Sequence, residues 1–136
     1  MKIRLERRAE REIDKGRKKA EILLANGDKL EKFLQDLERK LKKIPGLGTT
    51  FAMVPTMISL VRSFARREYK EIPKGTILGI ISVLAYILLP VDFLFDLIPG
   101  LGYADDAFVL LTFLRKGAEE DIVKYQKWRF KNNKFV

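Results

Sequence analysis

Residues 76–106 read TILGIISVLAYILLPVDFLFDLIPGLGYADD, and this stretch decides the fold. Its first 16 residues are uncharged and would be apolar on every side of a helix. Such a segment is either the central helix of a bundle or embedded in a membrane. Because a simple span needs about 20 apolar residues, it is disfavoured, whereas a re-entrant or hairpin arrangement stays open. Pro90 is expected to end or kink the helix.

Four aspartates are the only charged residues between positions 76 and 114: Asp92, Asp96, Asp105 and Asp106. An unpaired buried carboxylate is costly, so each must be neutralised, capped, bound to a cation or exposed to water. In a helix over residues 91–97, Asp92 and Asp96 would share a face and could meet the other two across the turn at 99–100. Clustered carboxylate oxygens without nitrogen or sulfur ligands would suit Mg²⁺, Ca²⁺ or Mn²⁺.

Capping is the simpler explanation for three of these aspartates. Asp105 and Asp106 stand where a helix is predicted to begin, and Asp92 follows Pro90 in the same way. Asp96 is the carboxylate that capping explains least, so a metal site remains the alternative. The motif around the aspartates also supplies the turn residues Pro90, Pro99, Gly100, Gly102 and Tyr103.

The first 44 residues carry a stripe of small residues and leucines at alternating spacings of 4 and 3, which is typical of a coiled-coil or hairpin seam. Gly27 is predicted to end a helix over 3–25, and Asp28 with Glu31 to cap a second over 29–43; one long broken helix is the alternative. The first half is mostly Ala and Gly, so it needs a packing partner to be ordered. The leucines of this seam are predicted to bind a partner helix or a second copy of the chain: Leu23, Leu30, Leu34, Leu37 and Leu41.

Two more helices follow from the pattern. Residues 54–69 predict an amphipathic helix with Arg62, Arg66 and Arg67 off its apolar face, and residues 105–128 predict a single last helix. The pentapeptide IPGLG occurs at 44–48 and again at 98–102. Pro and Gly together stop a helix, so both copies are predicted to be turns between helices.

The net charge of +9 is unevenly distributed. Residues 76–114 are acidic and apolar, and the segments on both sides are basic, an arrangement that suits an anionic membrane, a nucleic acid or an acidic partner. In residues 1–43 acids interleave with bases as on an ordinary solvated helix, but after Asp121 no acid offsets five cations. The tail residues predicted to contact an anionic surface are Lys124, Lys127, Trp128, Arg129 and Lys131.

Composition excludes several kinds of chemistry. The chain has no Cys and no His, which removes thiol and imidazole nucleophiles and the ligands of zinc, haem and iron–sulfur sites. No G-x-G-x-x-G or P-loop motif is present. The serines Ser59, Ser63 and Ser82 have no His partner and are predicted to be helix-surface or packing residues rather than nucleophiles. The charged N-terminus is unlike a secretory signal, which predicts a cytoplasmic location.

Residues 55–114 resemble the YkvA-like family of bacterial and archaeal domains of unknown function. The resemblance is carried by the basic helix 57–69, by Leu84-Ala85-Tyr86 before Pro90-Val91-Asp92, by Asp96-Leu97-Ile98-Pro99, and by Gly102-Tyr103-Ala104-Asp105-Asp106. Where the family usually has a second proline, this chain has Phe95, so residues 91–97 are free to form a short helix. Family members are often described as membrane proteins, and the resemblance implies no catalytic role.

These observations predict an all-α fold of about five helices. An apolar helical hairpin around the Asp/Pro/Gly turn would form a domain over 44–136, with residues 1–43 as a charged helical arm or hairpin. The favoured function is a non-enzymatic binding protein acting at or in the cytoplasmic membrane, for example one that neutralises a protein partner such as a toxin. The alternatives are a Mg²⁺-dependent enzyme or transporter component acting on a phosphate-bearing lipid through the aspartates, and a nucleic-acid binder.

Overall fold

The structure is a computed structural model that describes residues 2–42, 53–94 and 112–132. Within those residues the chain forms helices and no strand, which confirms the all-α prediction. In chain order the helices are α1 (Lys2–Ala25), α2 (Gly27–Lys42), α3 (Val54–Ala65), α4 (Lys74–Leu94) and α5 (Glu119–Lys131), with a kinked turn over Leu114–Ala118 before α5.

The central helix of the bundle is α4. Its side chains are buried on all sides between residues 77 and 84, where α1, α2 and α3 pack against it. For these residues the environment is therefore the protein core. The buried apolar side chains are Ile77, Leu78, Ile80, Ile81, Val83 and Leu84. Pro90 does not end the helix, which continues to Leu94.

Helix α1 packs along α4 through its small residues. A Cβ added at Gly16 would collide with the Ser82 hydroxyl, so glycine is what lets the two helices approach this closely. The hydroxyl of Ser82 is buried and donates a 2.6 Å hydrogen bond to the backbone carbonyl of Ile13. The packing partner expected for the first half of the stripe is therefore α4. The domain boundary at residue 43 stays a prediction.

The junction between α1 and α2 is capped differently from the prediction. Asn26, not Asp28, is the cap: its side-chain oxygen accepts a 3.2 Å hydrogen bond from the Lys29 amide, and its carbonyl accepts one from Leu30. Gly27 is already the first residue of α2. The predicted reciprocal partner Glu31 is engaged elsewhere, by Arg62 of α3.

Helix α3 ends four residues earlier than the pattern suggested. The amide of Glu68 bonds to the carbonyl of Ser63 and the amide of Arg67 to that of Phe64, the two hydrogen bonds of a Schellman motif. Arg67 has φ of 62°, the left-handed conformation that this motif requires at its first residue beyond the helix. The sequence contains no glycine here to signal the end.

The single helix predicted over 105–128 is wrong as a continuous element. Gly117 has φ of +105°, a conformation that glycine adopts without strain, and together with Lys116 it breaks the helix inside the turn that precedes α5. Phe113, just before the turn, is buried and lies against Gly79 of α4. Phe113 thus lies against the first half of α4, while the turn of the predicted helical hairpin lies outside the described residues.

Candidate functional site

The aspartate motif lies mostly outside the described residues. Asp92 is in the last turns of α4, but its side chain is not among those described, and Asp96, Asp105 and Asp106 lie beyond them. The same holds for Pro99, Gly100, Gly102 and Tyr103. In the three described ranges, no group of three or more potential metal-ligating side chains lies together. The metal site formed by the aspartates stays a prediction.

The leucine seam is filled by the chain itself. Leu30, Leu34 and Leu37 are buried in the core, and α2 contacts both α3 and α4. Leu23 and Leu41 are half-buried and pack against the same core. The prediction of a partner-binding seam is corrected for the three buried leucines, because their apolar surface is already covered within one chain.

The exposed face of α5 combines apolar and basic side chains. Val123, Lys127 and Phe130 follow the 4-3 spacing of one helix face, and Lys124 and Lys131 flank them. Phe130 is 73% exposed and Val123 41% exposed, both high for large apolar side chains. Lys124 lies 3.9 Å from the Glu71 carboxylate, but both side chains are mostly exposed, so this ion pair is weak.

Trp128 belongs to the opposite face of α5. Its ring centroid lies 5.0 Å from that of Tyr69 and 5.7 Å from that of Tyr125, which is fully buried. The Tyr125 hydroxyl is 2.6 Å from the Ser59 hydroxyl and 3.0 Å from that of Ser63. Trp128 is therefore packed within the protein rather than presented to a surface, and Arg129 is half-buried as well. Ser59 and Ser63 therefore pack against Tyr125 through their hydroxyl groups.

Arg62 of α3 is captured by two glutamates of α2. Its guanidinium donates to both oxygens of Glu31, at 2.8 and 3.0 Å, and to Glu38 at 2.6 Å. The arginine side chain is only 17% exposed. The carboxylates of Glu38 and Glu31 raise the pKa of Arg62 above its already high ordinary value, because both accept hydrogen bonds from the charged form. The charge of Arg62 is therefore paired within the chain, where it stabilises the contact between α2 and α3.

One turn further on, three cations converge on an open cleft of about 570 Å³, which we call the cationic cleft. The cations are Arg67, Lys70 and Lys74, and no carboxylate lines the cleft. No described residue forms an ion pair with any of the three. The remaining lining residues are apolar: Leu24, Phe64, Ala65 and Ile72. Such a surface can hold an anion that also carries an apolar part.

A second cleft, of about 490 Å³, lies between α1 and the turn at Gly117, and both of its cations have partners. Lys116 pairs with Glu10 at 2.6 Å, and Arg17 lies 3.5 Å from Asp14. The Arg17 guanidinium also donates to the carbonyl of Gly75. We call this the compensated cleft, since its cations already have anionic or carbonyl partners.

Sequence reasoning placed Arg62 together with Arg66 and Arg67 off the apolar face of one helix, and it did not identify the cationic cleft. The cleft brings together residues from α1, the end of α3 and the start of α4, and this convergence depends on how the helices pack. The pairing of Arg62 had a signal in the sequence: Glu31 and Glu38 are seven residues apart, so they share one face of α2.

In the part of the chain that the structure describes, no helix is long and apolar enough to cross a membrane. Comparison with known proteins gives two matches. A family model described as "Protein of unknown function (DUF1232)" matches residues 76–112. The "Uncharacterized membrane protein YkvA" of Bacillus subtilis (strain 168) is 32% identical over 79 residues, which cover 56% of this chain and 71% of that protein. No solved structure gives a significant match.

Proposed function

The chain belongs to the YkvA-like family of domains of unknown function (DUF1232), and from this premise we propose that it is a non-enzymatic protein that binds the cytoplasmic surface of an anionic membrane. The exposed face of α5 carries the proposal. Lysines attract anionic headgroups, and an exposed aromatic or aliphatic side chain beside them can enter the interface. The Bacillus relative is called a membrane protein, which supports an association with a membrane.

The arrangement of α5 suits binding parallel to the membrane. Its acidic residues, Glu119, Glu120 and Asp121, all lie in the first turn, and beyond it the exposed face is basic or apolar except for the neutral Gln126. The helix is anchored from behind by Tyr125 and Trp128, so the exposed face is held by the core. A rigid face needs no ordering when it binds, which favours affinity.

Vesicle sedimentation tests this function. The full-length protein is mixed with vesicles of phosphatidylcholine alone or with 30% phosphatidylglycerol, and we expect binding only to the anionic vesicles, decreasing as salt is raised. Replacing Lys124, Lys127 and Lys131 by Gln should weaken binding on the order of a hundredfold, at about 1 kcal/mol per lysine near the surface. Phe130→Ser should weaken it further, because the apolar contact is lost.

The matched control removes the same charge elsewhere. Lys18, Lys19 and Lys32 are exposed on α1 and α2, and replacing them by Gln leaves the net charge equal to that of the α5 variant. We expect this control to bind nearly as well as the parent protein. Equal binding to neutral and anionic vesicles, or equal losses in the two triple variants, would contradict the proposal.

No described contact favours the toxin-neutralising, Mg²⁺-dependent or nucleic-acid-binding alternatives. Each stays a prediction from the sequence.

A further inference from the structure

We propose that the cationic cleft binds a single anionic phospholipid molecule. Its phosphate would be held by Arg67, Lys70 and Lys74, and its glycerol backbone and the first part of its acyl chains would lie on the apolar lining. The inference rests on the proposed function, because it adds a selected lipid to a protein that binds the membrane surface.

Charge supports a phosphate-bearing ligand. The three cations of the cleft lack ion-pair partners among the described residues, whereas the cations of the compensated cleft have them. The acids of the same loop, Glu68 and Glu71, do not line the cleft, and Glu71 lies towards Lys124 of α5. A guanidinium offers two parallel donors to a phosphate, and two lysines add point charges beside it.

Two departures from local preference meet at this cleft. Arg67 occupies the left-handed position of a Schellman motif, where glycine is the usual residue because a side chain is strained there. Lys74 is the first residue of α4, and that first turn contains no acid, although the positive end of a helix favours one. Both residues depart from the locally preferred choice, and both place positive charge in the cleft. Their coincidence is what binding of an anion would explain.

The shape and lining argue for a lipid over a free phosphate compound. The cleft volume of about 570 Å³ lies within the range of small-molecule sites and is far larger than a phosphate needs. Phe64 and Leu24 are half-buried and Ile72 is buried, so part of the wall is apolar. An amphiphile covers both kinds of wall, whereas a free phosphate compound would leave the apolar part in water.

Isothermal titration calorimetry with dihexanoylphosphatidylglycerol below its micelle concentration tests the inference. We expect one molecule to bind per chain. Two other ligands test the contributions of the charge and of the acyl chains separately. Dihexanoylphosphatidylcholine has the acyl chains without net charge, and glycerol 3-phosphate has the phosphate without acyl chains. Both should bind about tenfold more weakly or worse, since each meets only one kind of wall. If glycerol 3-phosphate binds as tightly as the short-chain lipid, the inference of a lipid ligand is wrong and the ligand is a free phosphate compound.

Arg67→Gly is the decisive variant. It should weaken lipid binding by about tenfold, the loss of one strong charge-assisted hydrogen bond, and raise the thermal midpoint, because the backbone strain is removed. The matched control is the neighbouring Arg66→Gln, which removes one charge outside the cleft and should bind as the parent does. Unchanged binding by Arg67→Gly, or loss of binding together with a lowered midpoint, would overturn the inference.

The α5 variant separates this inference from the proposed function. The triple Gln replacement at Lys124, Lys127 and Lys131 should keep its affinity for the short-chain lipid while losing vesicle binding. If vesicles bind but the short-chain lipid does not, only the cleft inference fails. If the short-chain lipid binds but vesicles do not, only the proposed membrane binding fails.

Discussion

At the α2–α3 interface the guanidinium of Arg62 is held by two glutamates, whereas one turn later Arg67 lines an open cleft that no carboxylate enters. The two arginines are five residues apart and carry the same charge. The first has its hydrogen bonds and its charge matched within the chain. In the segment after α3, Arg67 is strained, and the buried hydroxyl of Tyr69 has no hydrogen-bond partner among the described residues.

This difference separates residues that serve the fold from residues that cost it stability. A matched ion pair has a clear structural role, because removing one partner leaves the other charge desolvated and unpaired. A strained or unmatched residue has no contact within the fold that accounts for it. Such residues are concentrated at the sites where proteins bind ligands. We therefore expect substitutions in the segment from Arg67 to Lys74 to affect stability differently from substitutions at Arg62.

The largest expected effect is at the matched end. Arg62→Met should lower the free energy of unfolding by about 2 kcal/mol, because Glu31 and Glu38 lose the cation between them. Fully buried pairs lose more, but these carboxylate side chains are 31% and 39% exposed and water can replace part of the interaction. Urea unfolding measures the loss. Arg66→Met removes an exposed arginine that lies 3.4 Å from Glu31, and it should lower the free energy of unfolding by only a few tenths of a kcal/mol. Similar losses in both variants would contradict the assignment of Arg62 to the fold.

At the unmatched end the sign should reverse. Arg67→Gly should raise the free energy of unfolding by about 1 kcal/mol, since the left-handed conformation costs a residue with a side chain roughly that much. Urea unfolding again provides the measurement. Arg66, with φ of −82°, is not strained, so Arg66→Gly should be neutral or destabilising. A loss of stability in Arg67→Gly would show that its side chain supports the fold after all.

A smaller gain is expected from Tyr69→Phe. Removing a buried hydroxyl that lacks a partner should raise the free energy of unfolding by about 0.5 kcal/mol, whereas Tyr125→Phe should lower it, because that hydroxyl contacts Ser59 and Ser63. Thermal unfolding of the two variants beside the parent compares them. Destabilisation of both by the same amount would contradict the distinction between the two hydroxyls.

Tyr69 should also make the stability of the protein depend on pH under alkaline conditions. Burial, with a smaller contribution from the nearby charges of Glu71 and Asp121, raises the pKa of Tyr69 above its ordinary 10.0. The folded state then holds the phenolic proton more tightly than the unfolded state does. This contribution is complete below pH 10 and is lost as the pH rises through the folded-state pKa. Unfolding curves at increasing pH should therefore show a smaller decline for Tyr69→Phe than for the parent protein.

The smallest effect should come from the compensated cleft. Lys116 and Glu10 form a 2.6 Å ion pair, but their side chains are 58% and 41% exposed. Lys116→Ala should lower the free energy of unfolding by no more than about 0.5 kcal/mol, as exposed pairs do. Exchanging the two residues, with Glu10→Lys and Lys116→Glu together, should restore most of the loss. A loss comparable to that of Arg62→Met would remove the contrast between exposed and captured pairs.

Much of the fold could be predicted because it depends on patterns within one segment. The apolar run after Thr76 identified α4, and the glycine and alanine stripe identified the face of α1 that packs on it. The errors have local causes that the patterns do not carry. Asn26 caps α2 although Asp28 and Glu31 formed a familiar capping pair, and Gly117 interrupts a segment that remains helical in character on both sides.

The candidate sites divide along the same line. The basic and apolar face of α5 could be identified in part from the tail sequence, but the packing of Trp128 on Tyr69 could not, because the two residues are distant in the chain. The cationic cleft could not be found, since Leu24, Phe64 and Lys74 come from three helices. Whether a cation is matched depends on which acid the packing brings near it, and sequence spacing reveals this only within a single helix.

The hydrogen bond from Ser82 to the Ile13 carbonyl has a consequence for the alignment of the bundle. The Ser82 side chain fits against Gly16, and its hydroxyl donates a hydrogen bond to the carbonyl of Ile13, one turn earlier on α1. One residue of α4 therefore contacts two specific positions on α1. If α1 slid by one residue, a larger side chain would replace Gly16 and the buried hydroxyl would lose its acceptor. The serine thus fixes the register of α1 on α4. Single-residue insertions should be tolerated before Ile13 but not between Ile13 and Gly16.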